Sequence, residues 1–265
     1  MYSIQYVNAL NTEDAVKKME ESEDGKLLAG GMTLIPTLKQ RLASPDRLVD
    51  LSSCNLSNIT NENKSILIGS MTCHDDVASS QIIKKDIPAL SKLAGNIGDR
   101  QVRNRGTIGG SLANNDPAAC YPAAVLALDA TIITQKRLIS AKEFFVGMFE
   151  TLLDENEVIV AVRLPKPDKA AYFKFPNPAS RYALVGVFVA KFDKDVRVAV
   201  TGAGEEGVFR SADLEKALGA NFSPECCENI SFSADTLMSD IHATADYRAH
   251  LICEMTRRAV IACCN

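Results

Sequence analysis

Apolar and polar positions change their period along the chain, and three stretches with different habits emerge. In the first, short apolar runs alternate with amphipathic ones, which predicts strand, helix, strand, helix. Asn11-Thr12-Glu13-Asp14 supplies a helix cap with acids in the first turn, and Ala15, Val16 and Met19 follow as an apolar stripe. Lys26-Leu27-Leu28-Ala29 predicts a short strand and Leu34 to Leu42 a helix, with Pro36 tolerated near its start. Arg47-Leu48-Val49-Asp50-Leu51 predicts the next strand.

The second stretch opens with a buried-strand pattern at Ser65-Ile66-Leu67-Ile68-Gly69. Helical spacing follows from Asp75 onward and from Pro88 to Ile97. Pro122 to Leu128 predicts an apolar helix leading to a strand at Ala130 to Ile133. The alternation from Glu157 to Leu164 closes the unit, and Pro165-Lys166-Pro167 reads as a linker. The third stretch is richer in strands: Tyr172 to Phe175, Ala183 to Phe192 and Val196 to Thr201 are separated by short turns, which favours an antiparallel sheet. Two helices are predicted after it, Ser211 to Leu218 and Tyr247 to Ala262. Neither an internal repeat nor a low-complexity tract is visible.

Composition narrows the function classes. At 265 residues, with 46% hydrophobic and 23% charged residues, the chain is ordinary globular material with room for one large domain or two to three smaller ones, each with its own core. A formal net charge of −4 offers no electrostatic reason to bind nucleic acid. The N-terminal residues carry no basic, apolar leader pattern, and no apolar run approaches the roughly 20 residues that span a bilayer. The expectation is a soluble cytoplasmic protein. Eight cysteines contain no C-x-x-C pair, so they read as reduced thiols and core fillers rather than metal ligands.

Two diglycine segments carry the clearest chemistry: Ala29-Gly30-Gly31-Met32-Thr33 and Thr107-Ile108-Gly109-Gly110-Ser111. Glycine lets a ligand approach the main chain, and consecutive glycines can turn their N–H groups toward one anion. A hydroxyl residue after each pair adds a donor where a helix start favours negative charge. One such pair is ordinarily a plain turn. Two with matching chemistry, far apart in sequence, suggest a diphosphate held between segments that the fold must bring together.

A third glycine motif is refused. Gly202-Ala203-Gly204-Glu205-Glu206-Gly207 fits G-x-G-x-x-G after a strand, but three residues intervene before the capping residue Ser211. The helix therefore does not begin on the third glycine, as pyrophosphate binding needs, and two carboxylates would crowd the phosphates. It reads as a turn at the end of a strand.

The stretch from Ile97 to Ala118, IGDRQVRNRGTIGGSLANNDPA, closely resembles the FAD-binding medium subunit of molybdenum hydroxylases, the group of aerobic carbon monoxide dehydrogenase and xanthine dehydrogenase. The likeness runs nearly end to end through Ala29-Gly30-Gly31, Met71-Thr72-Cys73-His74, Glu143-Phe144-Phe145, Asn177 to Tyr182, and the run from His242 to Ala259. It implies an α+β protein: a two-subdomain, PCMH-like FAD-binding region at 1–55 and 56–167. A C-terminal domain at 168–265 follows, with a three-stranded antiparallel sheet and helices. It implies that residues 29–33 and 107–111 wrap the FAD diphosphate, and that Lys174 and Tyr182 lie near the flavin. Lys174 would offer a donor or a charge to the ring system there, and Tyr182 would pack on its face. Asp116 begins an acidic motif in which Cys120 replaces the second acid common in relatives, an acid suited to a ribose hydroxyl. Met32 replaces a His or Asn, leaving main-chain contact at that position.

The resemblance further implies partners: a large molybdenum-cofactor subunit and a small subunit with two [2Fe-2S] clusters, assembled as a dimer of heterotrimers. The expected function is electron transfer from those clusters to an acceptor, with cofactor residues but no catalytic acid or base. The alternatives are a free-standing flavin oxidoreductase and a scaffold subunit that has lost FAD. Arg100, Arg103 and Arg105 read either as facing the diphosphate or a partner, or as solvated surface. His74 reads as a residue with a structural hydrogen bond rather than a proton-transfer group.

Overall fold

The computed structural model describes residues 2–227 and 230–264. The first unit comprises β1 (Gln5–Asn8), α1 (Thr12–Glu20), β2 (Gly25–Leu28), α2 (Leu34–Lys39) and β3 (Arg47–Asp50). The strands form a parallel sheet in the order β1-β3-β2. The expected cap is present: Asn11 Oδ1 accepts from the Asp14 N–H at 2.8 Å, and the Asp14 carboxylate accepts from the Leu10 N–H at 2.9 Å. The small core of this unit, built on Ala9, Ala15, Val49 and Leu51, also takes in Val158 from the second unit.

The second unit runs β4 (Ile59–Glu62), β5 (Ser65–Gly69), α3 (His74–Ser79), α4 (Gln81–Asp86), α5 (Pro88–Gly95), α6 (Arg100–Arg103), α7 (Ile108–Asn114) and α8 (Tyr121–Ala127). It continues with β6 (Thr131–Thr134), β7 (Leu138–Ser140), α9 (Ala141–Phe144), β8 (Phe145–Gly147), β9 (Glu150–Thr151) and β10 (Ile159–Pro165). Five strands make an antiparallel sheet in the order β4-β5-β10-β6-β7, with β8 and β9 as a separate hairpin. Its helices pack against it through Leu90, Leu93, Leu112, Tyr121 and Val125.

The third unit is an antiparallel sheet of β11 (Lys169–Pro176), β12 (Ala183–Phe192), β13 (Asp195–Gly204) and β14 (Gly207–Arg210), with α10 (Ala212–Ala220) and α11 (Ala245–Cys264). The three long strands match the expectation, and the short β14 extends the sheet by a fourth. β12 is apolar without alternation because both its faces are covered. Val185, Val187 and Val189 join the core under α11, whereas Phe188 and Ala190 join the core of the second unit. The refused glycine motif is the turn of the β13–β14 hairpin, with Gly204 paired to Gly207. Ser211 caps α10 beyond it.

This sheet also braces the loop at 116–120. The Gly202 N–H donates to the Pro117 carbonyl at 2.7 Å. The Thr201 hydroxyl lies 2.9 Å from that same oxygen and 2.7 Å from the Ala119 carbonyl. Among the described residues, no helix is long and apolar enough to cross a membrane.

Candidate cofactor site

The two diglycine segments meet. β2 ends at Leu28, and the chain passes through 29–33 into α2, with Gly31 at φ 72°, where a Cβ would be strained. The second segment crosses directly over it. A Cβ placed on Gly110 would lie 3.6 Å from the Ala29 Cβ, and one on Gly30 would collide with the main chain of Arg105 and Gly106. Between the three units opens a cavity of about 570 Å³, within the range of ligand clefts.

Of the expected residues, Ala29, Gly30, Gly31, Met32, Thr33, Thr107, Gly109, Gly110, Ser111, Asp116, Cys120, Lys174 and Tyr182 all line this cavity. Ile108 does not; its side chain is wholly buried in the core of the second unit. Its place in the motif is packing beneath the glycines.

The two segments differ in what they offer an anion, which corrects the expectation of two equivalent amide cradles. Residues 107–111 are not a loop but the first turn of α7, with Thr107 as its cap. The Ile108 and Gly109 N–H groups donate to the carbonyls of Thr72 and Ser70, and Gly110 donates to the Thr107 hydroxyl oxygen at 3.1 Å. Ser111 N–H donates to the Thr107 carbonyl. In the first segment, by contrast, the N–H groups of Gly30, Gly31, Met32 and Thr33 have no hydrogen-bond partner among the described residues. The first segment thus presents amides, and the second presents hydroxyls on Thr107 and Ser111 together with the space beside Gly110, while Gly109 is packed against Ser70. This donor set fits a diphosphate: N–H groups without partners among the described residues in one segment and hydroxyls in the other.

At the other end, Lys174 is tied down. Its Nζ donates to the carbonyls of Asn96 at 2.7 Å and Arg181 at 2.9 Å, and lies 3.5 Å from Cys120 Sγ. All three ammonium protons have partners, so Lys174 closes the 177–182 loop onto the second unit instead of extending a free charge into the cavity. Tyr182 stands at the mouth, its hydroxyl in hydrogen-bond reach of the Thr33 side chain, and burial raises its pKa above the ordinary phenol value. Burial also raises the Asp116 carboxyl, opposed by the Ala118 N–H that it accepts at 2.8 Å.

Arg103 is neither solvated nor aimed at a phosphate: its guanidinium donates to the carbonyls of Ile97 and Gly98 at 3.1 and 3.2 Å. Arg100 and Arg105 do not line the cavity. His74 lines the cavity, its N–H donates to the Gly106 carbonyl, and its Nδ1 has no hydrogen-bond partner among the described residues. Gly106 is a residue that sequence reading missed; a Cβ there would stand 2.5 Å from His74 Nε2.

Residues 2–167 match the family described as the FAD binding domain in molybdopterin dehydrogenase. The chain belongs to that family. Over 274 residues it is 34% identical to the nicotine 6-hydroxylase medium subunit of Paenarthrobacter nicotinovorans, covering 98% of this chain and 96% of the relative. It is 33% identical to the carbon monoxide dehydrogenase medium chain of Hydrogenophaga pseudoflava, over 90% of this chain and 89% of that one. A crystal structure of quinoline 2-oxidoreductase from Pseudomonas putida 86 superimposes with a TM-score of 0.89 at 26% identity, covering 99% of this chain and 97% of that one. The chain is an FAD-binding oxidoreductase subunit of the molybdenum hydroxylase family.

Proposed function

We propose that FAD lies in this cavity with its diphosphate between residues 29–33 and 107–111. The isoalloxazine end then lies toward Tyr182 and Lys174, and the chain works as the electron-transfer subunit of a molybdenum-containing complex. The observation that carries the reading is the unequal pair of segments: amide protons without partners among the described residues at 30–33, beside a second segment that leaves room at Gly110. FAD supplies the redox chemistry, including single-electron exchange and two-electron transfer. The chain's own part is positional. The N–H groups of residues 30–33 would meet a phosphoryl group, Thr33, Thr107 and Ser111 add hydroxyl contacts, and the Lys174 staple fixes the loop that carries Tyr182 over the mouth. No side chain is placed here as a catalytic acid or base.

The medium subunits that this chain resembles are named as parts of larger enzymes. The reading therefore includes a small subunit with [2Fe-2S] clusters as electron donor, a large molybdenum-cofactor subunit that meets the substrate, and a dimer of such heterotrimers in the cytoplasm. The test is purification of the native complex with analysis of its cofactors and its mass. One FAD per copy of this chain, with both partner subunits at equal stoichiometry, is the expected result. Substrate turnover by the isolated flavin-loaded chain would instead make it a free-standing oxidoreductase, and a native complex without flavin would make it a scaffold.

A further inference from the structure

Two buried polar atoms in residues of the cavity wall have no hydrogen-bond partner among the described residues. Ser70 is 4% exposed and His74 5% exposed, and neither Ser70 Oγ nor His74 Nδ1 has a hydrogen bond. Buried polar atoms are nearly always paired, so two orphans on one wall call for a reason. Both residues line the cavity. They begin and end a single segment that follows β5 and runs antiparallel to residues 106–109. The His74 N–H donates to the Gly106 carbonyl at 2.9 Å, Ile108 to Thr72 at 3.1 Å, and Gly109 to Ser70 at 2.9 Å.

The approach is as close as the glycines permit. A Cβ on Gly109 would stand 2.5 Å from the Ser70 Cβ, and one on Gly106 would stand 2.5 Å from His74 Nε2. Ser70 and His74 therefore flank the segment whose amide protons from Ile108 to Ser111 are already bonded within the fold. Beyond the Thr107 and Ser111 hydroxyls, an oxygen-rich ligand at that segment takes its donors from a neighbour, and Ser70 Oγ and His74 Nδ1 are the atoms beside it without a partner.

We propose that residues 70–74 form a third arm of the FAD cradle, with the Ser70 hydroxyl and the His74 imidazole donating hydrogen bonds to oxygens of the diphosphate–ribityl chain. The inference rests on the assignment of this cavity to FAD. His74 suits the task as a neutral ring: burial, with a smaller contribution from Arg103, holds its pKa down to about 4. It therefore offers one N–H near neutral pH without acting as a counter-ion.

The chain has three histidines, His74, His242 and His250, so imidazole nitrogen NMR of the full-length protein gives a readout with few signals. His74→Gln assigns the His74 resonance. FAD added to the apoprotein is expected to move that resonance and leave the other two in place. Inorganic pyrophosphate alone moving it identifies the diphosphate as the acceptor, and a shift seen only with FAD identifies the ribityl chain; either supports the arm. His74→Gln and Ser70→Ala are each expected to raise the FAD dissociation constant by about tenfold, the scale of one lost hydrogen bond, at unchanged melting temperature. FAD binding in full with the His74 resonance unmoved overturns the arm. The cavity assignment is read separately, from loss of FAD in Gly110→Val.

Discussion

The main chain of Gly30 packs against that of Arg105 so closely that a Cβ on Gly30 would stand 2.0 Å from the Arg105 carbonyl oxygen and 2.8 Å from the Gly106 Cα. Nothing flexible lies at this contact, so relief requires the two segments to part. Gly30→Ala is therefore a stability change before it is a binding change. Overpacking costs about 1–3 kcal/mol, which for a chain of this size is a fall in Tm of roughly 2–10 °C. Calorimetry of the apoprotein measures it directly. An unchanged Tm would mean that the two segments are not in main-chain contact.

Gly110 makes the opposite case. A Cβ there meets the Thr107 hydroxyl at 2.9 Å and the Ala29 Cβ at 3.6 Å, and otherwise faces the cavity. Gly110→Val is expected to fold, to keep the far-ultraviolet spectrum of the wild type and to lose flavin on purification, because the branched side chain occupies the approach to the first segment. Gly110→Ala is the graded control, retaining FAD with a dissociation constant raised by about tenfold. Stoichiometric flavin in the valine variant would remove this segment from the site.

The longer strands and helices were legible because each carries one pattern along its length, as α1 does with its Asn11 cap and apolar stripe and β12 with its apolar run. β4, β7 and the β8–β9 hairpin were not, since two to four residues with mixed polarity carry no period of their own and are shaped by the strands beside them. The convergence of the glycine segments was foreseen from their shared chemistry. Their inequality was not, because it depends on where α7 begins: with Thr107 as cap, Gly109 and Gly110 fall inside the helix and their amides bond Ser70 and Thr107. Lys174 was likewise expected, from the resemblance, to offer a donor or a charge to the flavin ring. Only tertiary structure brings Asn96, Cys120 and Arg181, from three separate segments, to its ammonium group.

Lys174 separates two roles that resemblance alone leaves merged. If it holds the 177–182 loop through the Asn96 and Arg181 carbonyls, Lys174→Met weakens FAD binding, since the loop carrying Tyr182 is released. Hydrogen bonds from a charged group contribute about 1.5–3 kcal/mol, so a rise of roughly tenfold to a hundredfold in the dissociation constant is expected. The absorbance spectrum of the flavin that remains bound should match the wild type. A shifted spectrum at unchanged affinity would show that the ammonium touches the ring system instead.

Glu157 gives the site a defined acid limit. Its side chain is inaccessible to solvent, and Arg137, aided by the Asp154 N–H and the Thr134 hydroxyl, holds its pKa at about 2 against an ordinary 4.5. A carboxyl whose pKa is lower in the folded state contributes its stability above the unfolded value and surrenders it as pH falls through the folded one. The contribution is about 3 kcal/mol at about 1.4 kcal/mol per unit, present at pH 7 and lost between about pH 4.5 and 2. The loss bears on the cavity, because Glu157 lines it and is followed by Val158, which packs into the core of the first unit. Glu157→Gln cannot replace the ion pair, so its urea midpoint is expected to lie below that of the wild type at pH 7, with the gap closing toward pH 2. A gap that stayed constant across that range would assign the loss to packing rather than to charge.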